Sequence, residues 1–283
     1  MRIIRSPFLI QKTVRGFKKK GKTIGLIPTM GALHAGHISL IKRAKKSCDI
    51  IIVSIFVNPI QFSPNEDYAK YPRPFSIDKK ICLDQGVDII FAPNVENIYP
   101  GGFSTQVDVG KLSNILCGKY RIGHFMGVAT VVSKLFNIVL PDKAFFGEKD
   151  YQQLKIIEKL KTDLNFPVEI VPCPTVREKD GLALSSRNGY LEKNEHNKSQ
   201  LIFKSLVMAK YSIKKNREYS VKKIVSSIRK YLLKIPNSKI EYIKICDNDT
   251  LKEYKYNIKL PARILLAIYI GKARLIDNIL VEK

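Results

Sequence analysis

No stretch of this 283-residue chain is apolar for long enough to cross a bilayer. The longest runs are residues 50–57, broken only by Ser54, and 264–270, against the roughly 20 residues a spanning helix needs. The N-terminal segment MRIIRSPFLIQKTVR interrupts its apolar stretch with charge and has no small-residue cleavage site, so no secretory leader is predicted. The five cysteines (Cys48, Cys82, Cys117, Cys173 and Cys246) are odd in number and far apart. With neither a Cys-x-x-Cys pair nor Cys/His zinc spacing, they predict reduced thiols and a cytoplasmic protein. There is no Gly-x-x-x-x-Gly-Lys-Ser/Thr loop, no Gly-x-Ser-x-Gly elbow and no His-Glu-x-x-His pair, which excludes Walker-type ATPases, α/β-hydrolases and zincin proteases. Repeats and low-complexity segments are absent too, and 16 Gly and 14 Pro are too few for a collagen-like or wholly disordered chain.

Acidic residues are scarce. Lys and Arg number 49 against 25 Asp and Glu, a net charge of +24. That invites a nucleic-acid reading, but Lys outnumbers Arg 37 to 12 and the charge is scattered, with one short cluster at 18–20. Base readers and bidentate phosphate clamps favour Arg. The charge therefore reads as a solvated Lys-rich surface with no specific nucleic-acid partner, and an anionic substrate gains from the field in either case.

Along the first two thirds, short apolar stretches (23–28, 49–57, 87–92, 144–146 and 168–171) alternate with helix-like ones (39–47, 76–85, 125–139 and 151–164). Strands that alternate with helices, and that are apolar on both faces, predict a parallel sheet with right-handed crossovers. After about residue 180 the pattern changes to two helices (192–215 and 221–233) and then three consecutive strands (239–246, 262–270 and 274–281). The expectation is an α/β protein: a Rossmann-like parallel-sheet domain over 1–176 and a smaller α+β lid domain with an antiparallel sheet over 177–283.

Five segments carry candidate chemistry. PTMGALHAGH (28–37) lies where the first buried strand hands over to a helix, a place where free backbone N–H groups and the positive helix end meet. His34 and His37, two of only four histidines, sit three apart there, suited to donating to phosphate oxygens. DGLALSSRN (180–188) is a polar loop at the domain boundary with an Arg and two hydroxyls. FGEKDYQQL (146–154) leaves a strand and enters a helix. FVNPIQF (56–62) follows the second buried strand with a neutral amide suited to a small polar substrate. Arg121-Ile-Gly-His124-Phe-Met-Gly127 reads as a helix entry with His124 hydrogen-bonded in place.

Together with Glu66 and the Tyr-Pro-Arg of 71–73, these pieces in this order resemble the pantothenate synthetase (pantoate–β-alanine ligase) family, and His34-x-Gly36-His37 is also the signature of the wider HxGH nucleotidyltransferases. The resemblance implies ATP-dependent condensation of (R)-pantoate with β-alanine through pantoyl adenylate, with release of AMP and pyrophosphate, on the route to coenzyme A. It implies catalytic roles for His37, His34, Lys149 and Arg187. It implies ATP contacts at Met30, Gly31, Ala32, Leu33, His34, Ala35, Gly36, His37, Gly147, Glu148, Lys149, Asp150, Val176, Leu184, Ser185, Ser186 and Arg187. Gln61 and Gln153 would hold pantoate, with Gln61 also near β-alanine. Mg²⁺ would arrive with the phosphates on unassigned ligands, and the chain would form a homodimer. Leu184 stands where the family often has Met, and Ile122 where Pro is common. A nucleotidyltransferase that leaves AMP on its product is the rival reading, and Gln61 and Gln153 speak against it because they suit a small carboxylic acid.

Overall fold

The computed structural model describes residues 1–64 and 66–282. It consists of two compact units, Met1–Glu148 with Gln152–Pro174, and Lys149–Tyr151 with Thr175 onward. The expected division at 176/177 differs from this in leaving Lys149–Tyr151, Thr175 and Val176 with the first unit, and its last residue, Lys283, lies outside the described residues.

The first unit is built on six parallel strands: β1 (Arg2–Ile4), β2 (Ile24–Thr29), β3 (Ile50–Ile55), β4 (Ile89–Phe91), β5 (Lys143–Gly147) and β6 (Glu169–Cys173), in the order β1-β4-β3-β2-β5-β6. The helices are α1 (Pro7–Lys18), α2 (Ala35–Ala44), α3 (Phe75–Asp84), α4 (Val95–Ile98), α5 (Cys117–Tyr120), α6 (His124–Val139) and α7 (Tyr151–Asp163), the last belonging to this unit from Gln152 on. The strand–helix alternation read from the sequence is borne out. β2 and β3 read as continuous apolar runs because both faces are covered: Ile24, Leu26, Ile27, Ile52 and Val53 are fully buried, and each such side chain contributes about 1.5–3 kcal/mol on leaving water. Four of these elements were not foreseen: β1, α1 and the short helices α4 and α5. The charges that break the N-terminal apolar stretch face solvent, while Ile4, Ile10 and Val14 are buried. α6 ends where expected: Leu140 takes a left-handed φ of 49° and Pro141 cannot continue the helix.

Chain order reverses between β2 and β5. From β2 the chain works outward through β3 and β4, then returns to place β5 on the other side of β2. In open parallel sheets, ligands bind outside the carboxyl ends of the strands at such a switch point.

The second unit is antiparallel: β7 (Ser238–Asp247), β8 (Ala262–Ile270) and β9 (Ala273–Val281), covered by α8 (Lys193–Lys214) and α9 (Val221–Leu232). Ile202, Leu206, Ala209 and Ile213 form one stripe of α8, and Ile224, Ile228 and Leu232 one stripe of α9. Both pack in one core with Ile243, Ile245, Ile264, Leu266 and Ile268. The β8–β9 hairpin closes through Gly271, whose φ of +52° and proximity to the Glu195 carboxylate leave no room for a side chain.

The turn after β7 is held by Asp247, whose carboxylate accepts from the Thr250 hydroxyl (2.7 Å), Thr250 N–H (2.8 Å) and Asp249 N–H (3.2 Å). The Thr250 hydroxyl bond, then the two N–H donors, hold its carboxyl below the usual range. A lowered folded-state value stabilises above the unfolded pKa of about 3.9 and loses that stability as pH falls through the folded value. Asp247→Asn, which keeps a neutral acceptor but not the charge, should therefore melt below wild type at pH 7 and approach it between pH 5 and pH 3. Thermal melts across that range check this.

Candidate active site

β2 passes into α2 through a turn that the backbone alone would not hold. Gly31 and Ala32 both adopt positive φ, 83° and 51°. The N–H of Gly31 donates to Thr29 Oγ1 (3.1 Å), and those of Ala32 (2.9 Å) and Leu33 (2.7 Å) donate to the two oxygens of Asp78. Asp78 comes from α3 and is 1% exposed. Burial pushes its carboxyl up, opposed by the two N–H donors. A Cβ on Gly31 would lie 2.9 Å from Asp78 Oδ2, so the glycine serves both the φ and the close approach.

The two histidines continue the pattern. His34 is the N-cap of α2, its Nδ1 accepting from Gly36 N–H at 3.1 Å, and His37 Nδ1 accepts from His34 N–H at 3.2 Å. Their ring centroids are 4.2 Å apart. A backbone N–H only donates, so both Nδ1 atoms are unprotonated and each ring carries its proton on Nε2. This revises one sequence expectation. Five amides of the turn, those of residues 31–34 and 36, already have internal partners, so these five are not free to cradle a ligand, and the two imidazoles keep their N–H on Nε2.

Beyond β3, Asn58 (1% exposed) and Gln61 (7% exposed) form a knot of amides. Asn58 Nδ2 donates to Gly127 O (3.0 Å) and to Gln61 Oε1 (3.0 Å), and Tyr99 OH donates to Asn58 Oδ1 (2.7 Å). Gln61 Nε2 donates to Met30 Sδ at 3.1 Å, which brings Gln61 to the turn. Behind it, His124 Nδ1 donates to Gln61 O (2.7 Å). His124 Nε2 accepts from Arg121 (2.8 Å), and Arg121 grips Glu66 with two bonds of 2.7 and 2.5 Å. His124 is a strut, as its helix-entry reading implied. Gly127 is required because a Cβ would lie 2.5 Å from Ile60 O.

At the switch point β5 ends in Gly147, followed by Glu148. The two glutamines after it differ. Gln152 is buried and spent on backbone: it accepts from Cys117 N–H (3.0 Å) and donates to Leu112 O (3.0 Å) and Ile115 O (2.8 Å). Gln153 stays half-exposed.

The remaining candidates lie in the second unit. Residues 176–184 form a tight hairpin, with Leu184 N–H donating to Val176 O (3.1 Å) and Glu178 N–H to Leu182 O (2.8 Å). Arg177 pairs two-fold with Asp277 (2.7 and 2.8 Å) and lies 3.7 Å over the Phe203 ring. Ser185 Oγ accepts from Arg187 N–H (3.2 Å), capping the turn Ser186–Tyr190, and buried Asn188 ties that turn to Glu178 (2.8 Å) and Ala183 O (3.2 Å). Lys149 and Tyr151, which flank Asp150, are fastened here as well: Asn278 Nδ2 donates to Lys149 O (3.0 Å), Tyr151 OH bonds to Asn248 (2.9 Å), and Arg263 lies 3.5 Å over Tyr151. Lys149 and Ser185 line one small cavity of this unit with Asp277 and Leu182.

Sequence reasoning missed Asp78, Tyr99 and the consequence of Gly127. Asp78 had a faint signal: it lies four residues before buried Cys82, on the apolar stripe of α3. Tyr99 had none. The cysteines are excluded as nucleophiles where burial sets them: Cys82 and Cys246 are pushed up to about 12 and Cys173 to about 11. Among the described residues, the one trio with metal-ligand spacing, Glu178, Asp180 and His196, is in the second unit.

A family model described as pantoate-beta-alanine ligase matches residues 2–280. The pantothenate synthetase of Caldicellulosiruptor bescii is 52% identical over 273 residues, covering 96% of each chain. That of Aquifex aeolicus is 52% identical over 272 residues, covering 94% of this chain and 95% of that protein. The pantothenate synthetase crystal structure from Thermus thermophilus superposes with a TM-score of 0.93 at 40% identity over all of both chains. The pantoate-beta-alanine ligase structure from Francisella tularensis, complexed with beta-gamma ATP and beta-alanine, gives 0.82 at 39% identity, covering 100% of this chain and 98% of that one.

Asp78→Ala leaves the N–H groups of Ala32 and Leu33 without their acceptor, so it should lower unfolding stability by about 2–4 kcal/mol. Asp78→Asn, which keeps one acceptor, should lose about half as much. Denaturant midpoints of the two variants decide it.

Proposed function

The chain belongs to the pantoate-beta-alanine ligase family, and from that premise we propose how its residues divide the work of one acid–amine condensation. The chain is a ligase that joins pantoate to β-alanine at the expense of ATP, giving pantothenate. On our reading the (R)-pantoate carboxylate first attacks the α-phosphorus, pyrophosphate leaves and pantoyl adenylate forms. The β-alanine amine then attacks the acyl carbon, and AMP leaves with the electron pair of the broken C–O bond.

The observation that carries the assignment is the tautomer of the two histidines. With Nδ1 committed to backbone N–H groups, His34 and His37 are neutral donors through Nε2, seated at the start of α2 beside the switch point. Such donors suit negative charge growing on phosphate oxygens and do not suit proton abstraction, and the attacking carboxylate needs no base. Met30, Gly31, Ala32, Leu33, Ala35 and Gly36 line the nucleotide on one side, and Gly147 and Glu148 border it at the end of β5. Lys149, Asp150, Val176, Leu184, Ser185, Ser186 and Arg187 complete its set, Lys149 and Arg187 neutralising phosphate charge. Gln61 and Gln153 hold pantoate, and Gln61 also faces β-alanine.

Mg²⁺ enters as part of the nucleotide substrate. On this reading the ion is held by phosphate oxygens and water, with its protein ligands unassigned. We read the active species as a homodimer and the compartment as the cytoplasm. All five cysteines are free, and no helix among the described residues is long and apolar enough to cross a membrane. The +24 charge serves anionic substrates on this reading, with no nucleic-acid partner.

ATP–pyrophosphate exchange with Mg²⁺ and pantoate, β-alanine omitted, should proceed and should stop without pantoate; exchange that ignores pantoate would overturn the adenylate step. His37→Ala should slow that exchange by roughly 10²–10³, the usual cost of one transition-state donor. Gln153→Ala should raise the pantoate KM and spare that of ATP, which initial-rate kinetics at varied pantoate would reveal.

A further inference from the structure

The amide of a glutamine can present either end to a ligand, and in this protein the choice at Gln61 is made elsewhere. The Gly127 carbonyl on α6 can only accept, so the atom of Asn58 facing it at 3.0 Å is Nδ2. Asn58 Oδ1 then faces the Tyr99 hydroxyl at 2.7 Å, which must donate. The second hydrogen of Asn58 Nδ2 goes to Gln61 at 3.0 Å, which fixes that atom as Oε1. The outer atom of Gln61 is therefore Nε2, with one hydrogen directed at Met30 Sδ and its other without a partner among the described residues.

The geometry points to Tyr99 as a positioning residue: its hydroxyl satisfies Asn58 Oδ1, locks the Asn58 amide, and so holds Gln61 as a hydrogen-bond donor toward an oxygen of the acid substrate. The inference rests on the reading of Gln61 as a pantoate contact. Tyr99 is well placed to hold the Asn58 amide rigidly. Its ring packs on Phe56 and Phe103 with centroids 6.1 and 4.9 Å apart, and the Lys134 ammonium lies 5.8 Å from its centre. Burial pushes the phenol above its ordinary value, so it stays a protonated donor throughout the neutral range. Without that hydroxyl, a nearly fully buried amide oxygen lacks its donor, and Asn58 gains by turning away from the arrangement that orients Gln61.

The test is Tyr99→Phe in the full-length enzyme, alone and combined with Gln61→Ala, with KM for pantoate and for ATP read by pyrophosphate exchange. Tyr99→Phe alone should raise the pantoate KM about ten-fold, the effect of one misplaced hydrogen bond, and leave the ATP KM within about two-fold. On the Gln61→Ala background it should change the pantoate KM by less than about two-fold, because the two residues act through one contact. An unchanged pantoate KM in the single variant, or an equal rise on both backgrounds, would overturn the inference. A normal pantoate KM in Gln61→Ala alone would instead remove the site reading beneath it. Should Tyr99→Phe fail to fold, Asn58→Asp supplies the second arm. It still accepts from Tyr99 but no longer donates to Gln61, and the same pantoate-selective loss is expected; its absence would count against the proposal.

Discussion

Everything at the candidate site hangs on the carboxylate of Asp78. A parallel strand that ends beside a helix start concentrates backbone N–H groups in one spot, and this turn adds two consecutive residues at positive φ, of which Ala32 is not glycine. Such a conformation persists only where its surroundings over-determine it. A buried acid from α3 accepts from two of those amides, and Thr29 and the two imidazoles take three more. The turn is finished from within, so it needs no ligand to hold its shape, and its histidines are oriented before any substrate arrives.

From that turn outward the site is a polarity puzzle solved by groups with only one option. Backbone N–H groups donate and therefore set the tautomers of His34 and His37. A backbone carbonyl at Gly127 accepts and therefore orients Asn58 and Gln61. Arg121 donates to His124 Nε2, and the Gln61 carbonyl accepts from its Nδ1, which holds that ring in the other tautomer from His34 and His37. Low exposure makes each choice costly to reverse, since an unpaired buried donor or acceptor forfeits its full hydration. The result is a set of side chains whose donating and accepting atoms are each fixed.

The second unit applies the same rule to charge. Half-buried Arg177 forms a two-fold pair with buried Asp277, and Arg274 is paired twice with Glu241. Arg263 is 4% exposed and balanced by the amide oxygens of Asn248 and Asn278 and by the Tyr151 ring. Buried ions are tolerated only with such partners. Some exposed lysines pair with surface carboxylates, Lys18 with Asp142 and Lys223 with Glu218 among them, and for a triphosphate substrate the field of the lysine-rich surface is an asset to encounter rate.

The order of strands and helices, the change to an antiparallel sheet near residue 180 and the place of the His34–His37 turn were all legible in the sequence, because local periodicity and Gly/Pro punctuation are properties of neighbouring residues. Resemblance in six short segments carried the family and the chemistry further than periodicity could. What the chain order did not reveal depends on residues far apart in it. Nothing near Asp78 says that it will meet Ala32 and Leu33, nothing near Tyr99 that it will bond Asn58, and nothing in two adjacent glutamines that Gln152 is consumed by backbone while Gln153 is left available. The N-terminal β1 and α1 were hidden for the same reason: their few buried side chains make sense only once β4 is there to pair with. Sequence determined which chemical groups exist and in what order they emerge. Tertiary structure decided which atom of each amide and imidazole donates and which accepts, because a group that can both donate and accept takes its direction from neighbours that can do only one.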